Sequence, residues 1–277
     1  DTVGPMGRCA ADVTLLHATI LGQRPVQRHS LAKVRIGVPR LGYWEDLDPE
    51  VERVAKAALT RLRDHGAVLV EIEMHEIKDA AKELFSQLIA GMRADLEGFL
   101  RANVPSLSLR NLIEQVASRD VRAILEDVSA VVKEGGNAGP APDLLSARGP
   151  RRDAICNAYR KVFREHDLQA VVFPTEVLQP TPIRAAGDEP GETMEFNGQV
   201  VSKVWTLARN TVSTSALGAP ALSLPAGLTK NGLPVALEFD GLPGNDNELL
   251  ALGMAAEAAM GRMPAPPGCC PPANCNS

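Results

Sequence analysis

Few side chains in this sequence have the spacing that common catalytic sites require. The HExxH zinc motif, the Gly-x-Ser-x-Gly nucleophile elbow and the phosphate-binding P-loop are all absent. The five histidines, each in or beside a predicted helix or its end, are His17, His29, His65, His75 and His166. Carboxylates are numerous but scattered, so the sequence cannot pair two of them across a cleft. Standard motifs therefore identify no active site.

The last third of the chain holds the densest polar run. Arg209-Asn210-Thr211 is followed by Ser213-Thr214-Ser215 and then by Gly218-Ala219-Pro220. A Gly-x-Pro break lets a helix end close to the start of a strand, and such a junction can present hydroxyl and amide groups to a cleft. The alternative is an ordinary connection whose hydroxyls satisfy the local backbone. The residues alone leave both interpretations open.

Composition excludes several classes of protein. The net charge is −5 and the basic clusters are short, which argues against a nucleic-acid partner. No apolar run of about 18 residues predicts a membrane span, and no secretory signal opens the chain, so we expect a cytoplasmic protein without a membrane partner. Because the first residue is Asp1, we expect a processed product or an excerpt of a longer gene product.

The cysteines predict neither a disulfide framework nor a metal site. Cys9 and Cys156 are isolated, and the other three crowd into the Pro-rich segment 264–277, which we expect to be a disordered tail. A structural zinc site would need paired spacings and a fourth ligand. No metal or organic cofactor is implied.

The elements predict an α/β fold. Strands are expected at 34–38 and 68–72, with a helix from Pro49 to Gly66 between them, which is the pattern of a crossover connection. The chain should be helical from Ala80 to about Lys133, with a second segment at 109–132, and a Gly/Pro/Ala loop should follow at 135–142. A helix at 151–166 then leads into a buried strand, Ala170–Phe173. These helices should pack as a lobe over the sheet.

The signals that begin and end helices and strands are clearer near the two ends of the chain. A helix should begin at Asp12 as N-cap and stop at Gly22, and its apolar face should consist of Val13, Leu15, Leu16, Ile20 and Leu21. Near the other end, strands at 221–225 and 233–239 flank Asn231-Gly232, a strong hairpin signal. Residues 179–198 predict a surface loop, and Asn247 should cap the closing helix at about 248–261.

Several segments together resemble the amidase-signature family of amide hydrolases. Asp1–Arg8 with Asp12 is similar to the stretch that follows that family's signature, and Phe173-Pro174-Thr175 is similar to its strand ending in Pro-Thr. The segments 210–227 and 232–257 resemble its C-terminal block. The run 207–211 and the ending 237–241 look most like the arylacetamide branch, which includes indoleacetamide and mandelamide hydrolases.

The resemblance implies a Ser–cis-Ser–Lys triad in which lysine activates serine through a bridging serine. In the family this triad precedes the block that begins here at Asp1, so no catalytic residue can be assigned in this chain. Lys33, Lys203 and Ser223 are not substitutes, because none lies in a matching motif. We therefore expect residues 1–263 to be the C-terminal portion of an amidase domain, with part of a mixed central sheet flanked by helices, and to be inactive alone.

The predicted substrate is a small amide, with aryl-substituted amides as one option, and the chain could form a homodimer. The predicted substrate-binding residues are Asn210, Thr211 and Ser215, together with the loop after Pro174. Two alternatives stay open, besides the remote one of an unrelated α/β ligand-binding domain. One is a component of an amidotransferase that works on misacylated tRNA, and the other is a non-catalytic binding or interaction protein derived from an amidase.

Overall fold

The computed structural model describes residues 4–118, 121–123, 125–126, 142–182 and 193–264, except for the side chains of 85–91 and 142–148. Its helices are α1 (Ala10–Leu21), α2 (Arg40–Tyr43), α3 (Pro49–Asp64), α4 (His75–Asn103), α5 (Leu109–Glu114), α6 (Pro142–His166), α7 (Lys203–Leu207), α8 (Val212–Leu217) and α9 (Asp246–Met260). Its strands are β1 (Arg35–Pro39), β2 (Val68–Ile72), β3 (Ala170–Pro174), β4 (Thr193–Phe196), β5 (Gln199–Ser202), β6 (Ala221–Leu228) and β7 (Pro234–Asp240).

The main sheet has five strands in the order β2-β1-β3-β7-β6. Strand β1 runs parallel to β2 and β3, whereas β7 runs antiparallel to both β3 and β6. The sheet is therefore mixed and helices flank it, which confirms the predicted fold class. Helix α3 connects β1 to β2, as expected for two parallel neighbours.

Side chains on opposite faces of β7 contact different helices. Leu237 and Phe239 are fully buried on the face of β7 that packs against α3 and α9. Leu222 of β6, which pairs with Phe239, lies on the same face. The alternating residues Glu238 and Asp240 lie on the other face, towards α6 and α8. Strand β3 is buried along its whole length, because both of its neighbours and both helical layers cover it.

Helix α3 shows how local sequence fixes an element. Asp48 accepts hydrogen bonds from the backbone N–H groups of Glu50 (2.8 Å) and Val51 (3.2 Å), and Pro49 occupies the first turn. Its buried side chains are Val51, Val54, Ala55, Ala58, Leu59 and Leu62, which follow the helical period. This helix was predicted correctly because cap, period and end signal all agree.

Helix α1 differs from the prediction in its start and in its buried face. Cys9, not Asp12, is the N-cap. The helix does end before Gly22, which has the left-handed backbone conformation. The residues that pack inward are small, namely Ala10, Thr14 and Ala18. Four of the five residues of the predicted apolar face are exposed, namely Leu15, Leu16, Ile20 and Leu21.

Several other boundaries also differ. The expected loop 179–198 contains β4, which pairs with β5 in a two-stranded hairpin. The closing helix α9 begins at Asp246 after Asn245, not after Asn247. Helix α4 begins at His75, before the predicted Ala80, and α5 begins at Leu109, where the second helical segment was expected, but ends at Glu114. The expected loop at 135–142 lies outside the described residues except for Pro142, which begins α6, and the predicted tail 264–277 lies outside them beyond residue 264.

The hairpin between β6 and β7 confirms the signal of Asn231-Gly232. Gly232 has φ of 77°, a conformation that favours glycine, and its N–H donates to the Thr229 carbonyl oxygen at 3.0 Å. The Thr229 hydroxyl accepts from the N–H of Leu233 at 3.1 Å.

Within the described part of the chain, no helix has the length and apolar character needed to cross a membrane.

Candidate functional site

Asn210 lies at the junction of three segments that are distant in sequence. It is fully buried in the turn between α7 and α8. Its side-chain amide donates to the carbonyl oxygens of Pro174 (2.7 Å) and Tyr43 (3.1 Å), and its Oδ1 accepts from Lys78 Nζ at 3.0 Å. Every polar group of the amide is thereby used. Asn210 thus fixes the end of β3, the segment after β1 and the start of α4 relative to one another.

Lys78 is held without a carboxylate partner among the described residues. Its ammonium donates to the Gly42 carbonyl oxygen and to Asn210, and it lies 4.1 Å from the centre of the Tyr43 ring. Burial, and secondly the nearby Arg209 guanidinium, lower the pKa of Lys78 to about 7. Neither hydrogen-bond partner is a nucleophile, so this lysine is not arranged as the base of a Ser–Lys pair.

Thr211 and Ser215 satisfy nearby backbone groups. The Thr211 hydroxyl donates to the Ala208 carbonyl oxygen at 3.3 Å, and the exposed Ser215 hydroxyl donates to the Thr211 carbonyl oxygen at 3.4 Å. The structure therefore brings Asn210 to Lys78 but leaves the other two predicted residues with local contacts. After Pro174, the Thr175 and Ser223 hydroxyls lie 2.7 Å apart, joining the loop to β6.

Two carboxyl groups are buried side by side on β7. Glu238 and Asp240 are each about 95% or more buried, and Asp240 accepts a hydrogen bond from the buried Thr214 hydroxyl. Burial, and then the negative charge of Asp240, raise the pKa of Glu238, and burial also raises the pKa of Asp240. The pair therefore retains protons at a pH where exposed carboxyl groups are ionised.

Buried hydroxyl groups surround this carboxyl pair. The Tyr43 and Ser213 oxygens lie 2.8 Å apart, and the Tyr159 hydroxyl donates to the Gly241 carbonyl oxygen at 3.3 Å. Burial raises the pKa of both tyrosines, and the carboxylates add to the effect. The tyrosines are thus neutral hydrogen-bonding groups at physiological pH.

An open groove of about 420 Å³ lies above Lys78. The turn after α2, the first turns of α4 and the α7–α8 segment form its walls. Its lining includes Leu41, Lys78, Lys82, Trp205, Arg209 and Val212. No group of three or more histidine, cysteine, aspartate or glutamate side chains in the described residues could hold a metal ion.

Comparison with known proteins identifies the family. The family model described as Amidase matches residues 1–250. The chain belongs to the amidase family. The mandelamide hydrolase of Pseudomonas putida is 32% identical over 273 residues, which are 96% of this chain and 51% of that protein. The indoleacetamide hydrolase of Agrobacterium vitis is 34% identical over 264 residues, which are 94% of this chain and 54% of that protein.

Solved structures confirm the amidase fold. A crystal structure described as that of an amidase superposes with a TM-score of 0.68 at 22% identity, covering 93% of this chain and 52% of the other. This amidase chain therefore spans about half the length of the relatives it matches. The resemblance to the amidase-signature family drawn from short segments is confirmed.

The polar centre of this amidase chain contains residues that the sequence did not single out. Lys78 had no motif around it, and Tyr43 lies in a segment with no catalytic signature. Glu238 and Asp240 did carry a signal, because they interrupt an otherwise apolar strand at alternate positions. Acids on the buried face of a strand are rare enough to indicate a polar cluster.

Proposed function

We propose that this chain is part of an amide hydrolase that cleaves a small amide, with aryl-substituted amides as the first class to test. Membership of the amidase family carries the proposal. The similarity to a mandelamide hydrolase and an indoleacetamide hydrolase, each over more than nine tenths of this chain, supports the aryl class.

We further propose that the Ser–cis-Ser–Lys triad lies in residues outside this chain. The chain contains no Gly/Ser-rich signature, and it spans about half of the related hydrolases. The serine would attack the amide carbonyl while the lysine accepts its proton through the second serine. That proton would pass to the leaving nitrogen as ammonia departs, and water would then release the acid from the acyl-serine. Asn210 would contribute by fixing the Pro174 end of β3, where Thr175 and Ser223 reach the surface.

An assay of ammonia release tests both proposals. Indoleacetamide, mandelamide and benzamide are offered to this chain and to a version extended upstream in its reading frame. We expect release only from the extended version, because loss of a triad removes most of the transition-state stabilisation. Hydrolysis by the present chain would contradict the missing triad, and inactivity of both versions on all three amides would contradict the aryl-amide class.

The second candidate is a component of a glutamyl-tRNA amidotransferase. The matching amidotransferase component of Thermodesulfovibrio yellowstonii is 27% identical over 279 residues. The net charge of −5 counts against binding of tRNA and favours the small-amide hydrolase. Glutamine-dependent amidation of glutamyl-tRNA by the extended version, with the other amidotransferase components added, would decide for the amidotransferase.

A further inference from the structure

Residues of this chain form a groove above Lys78. Its volume of about 420 Å³ falls within the range of small-molecule sites. It is built from three segments that Asn210 holds in place, so its shape is defined by buried hydrogen bonds. A preformed cavity of this kind needs little reorganisation to accept a ligand.

Two cations lie in this groove without a hydrogen-bonded carboxylate among the residues that the structure describes. Lys78 donates to the neutral oxygens of Gly42 and Asn210, and the Arg209 guanidinium donates to the backbone oxygen of Glu45. Two neighbouring cations repel each other, and a ligand with anionic oxygens bound between them would offset that repulsion.

The acids of the groove lie at its rim. Glu45, Asp46 and Asp79 are exposed, whereas Lys78 and Arg209 are partly buried. One oxygen of Glu45 is already occupied by the backbone N–H of Gly42 at 2.9 Å. Three rim acids disfavour a dianion such as sulfate, but a single negative charge matches the two deeper cations.

The remaining wall is aromatic and apolar. Trp205 is partly buried on α7, and the Lys82 ammonium lies 5.1 Å from the centre of its ring. Leu41 and Val212 also line the groove. A flat ring fits such a wall, because stacking against an indole adds to the free energy of apolar burial.

We infer that this groove binds a small aromatic monocarboxylate, with the carboxylate between Lys78 and Arg209 and the ring against Trp205. Hydrolysis of aryl amides would release acids of this same ligand class. Binding of such an acid in the groove can therefore also be tested as inhibition of the extended enzyme.

Calorimetric titration of this chain tests the inference, with phenylacetate, the neutral phenylacetamide, acetate and inorganic sulfate as ligands at pH 6.5. We expect phenylacetate to bind about tenfold or more tightly than each of the other three, because a charge-assisted hydrogen bond and a ring contact are each needed. Equal binding of phenylacetamide or sulfate would overturn the inference, as would absence of phenylacetate binding.

Variants locate the site. Arg209→Gln should weaken phenylacetate binding about tenfold. Trp205→Leu should weaken the binding of phenylacetate more than the binding of acetate. The matched control is Arg110→Gln, which removes an equal charge from an exposed residue paired with Glu114 and should leave binding unchanged. Unchanged binding in Arg209→Gln would overturn the site.

If Arg209→Gln does not fold, the comparison of phenylacetate with phenylacetamide on the unaltered chain decides alone. Failure of the proposed amidase function would appear separately, as absence of ammonia release from the extended version. The ligand titration uses no catalytic step, so the two failures are distinguishable.

Discussion

At the scale of single residues, the carboxyl pair Glu238 and Asp240 makes stability depend on pH. Both pKa values are raised in the folded chain, chiefly by burial. The folded state therefore binds more protons than the unfolded state above the ordinary carboxyl range of about 4. The contribution of the pair is fully present below that range and is lost as the pH rises towards the raised values. Stability should fall from acidic to alkaline pH on this account.

We predict that Glu238→Gln removes much of this dependence. Gln keeps the shape of the protonated acid but cannot ionise, so the free energy of unfolding at pH 8 should rise by about 2 kcal/mol. At pH 5 it should change little. Urea denaturation at the two pH values measures both quantities.

The control for this prediction is Glu195→Gln, at an exposed position on β4, which should have no differential effect of pH. A loss of stability in Glu238→Gln that is equal at pH 5 and pH 8 would contradict the prediction, because the effect would then not depend on ionisation of this carboxyl group.

The residue scale also shows what sequence patterns could not supply. Asn210 was singled out from its polar run, but its partners Tyr43 and Lys78 are 167 and 132 positions away. No local spacing encodes contacts at that distance. Thr211 and Ser215, whose hydroxyls bond within one helical turn, follow the alternative that the sequence left open.

At the scale of elements, close packing in the centre of the sheet depends on a residue without a side chain. A Cβ added at Gly37 of β1 would lie 2.7 Å from Ile72 Cδ1, 2.8 Å from Leu168 Cδ1 and 3.1 Å from Val171 Cγ1. These atoms come from β2, the segment before β3, and β3 itself. Three branched side chains would have to move together.

We predict that Gly37→Ala lowers the free energy of unfolding by about 1–3 kcal/mol, because the core must absorb the added methyl group. The matched control is Gly98→Ala in α4, where the new Cβ has no neighbour within 4 Å. That change should raise stability by roughly 0.5–1 kcal/mol through helix propensity. Denaturant unfolding of both variants checks the prediction, and equal effects would contradict it.

Elements were predictable where two independent signals agreed. The strand β2 and the helix α3 had both a hydrophobic period and punctuation, and their positions were predicted closely. Helix α1 had a clear apolar stripe, yet Leu16 and Ile20 face outward while the small residues pack inward. Periodicity identifies an apolar face, but it does not say whether this chain itself covers that face.

At the scale of the whole molecule, apolar surface is concentrated on α1. Leu15, Leu16, Ile20 and Leu21 are 43–67% exposed, and Met6, just before the helix, is 91% exposed. At the end of the main sheet, β6 pairs on one side only among the described strands, leaving backbone groups free to bond. Contiguous apolar surface of this kind marks an interaction site or an aggregation risk.

We therefore predict that this chain associates with itself through α1, as the sequence-based option of a homodimer would require. The double variant Leu16→Lys with Ile20→Lys should shift the chain towards monomer in sedimentation velocity. The contact would then bury two ammonium groups, and the free-energy cost of burying them exceeds the gain from the remaining apolar contact. The control is Val200→Lys on β5, which removes a residue that is 78% exposed but lies outside this surface, and it should not change the sedimentation profile. A parent chain that sediments as a monomer at every concentration would contradict self-association. Loss of association in the control alone would move the contact to the β4–β5 hairpin.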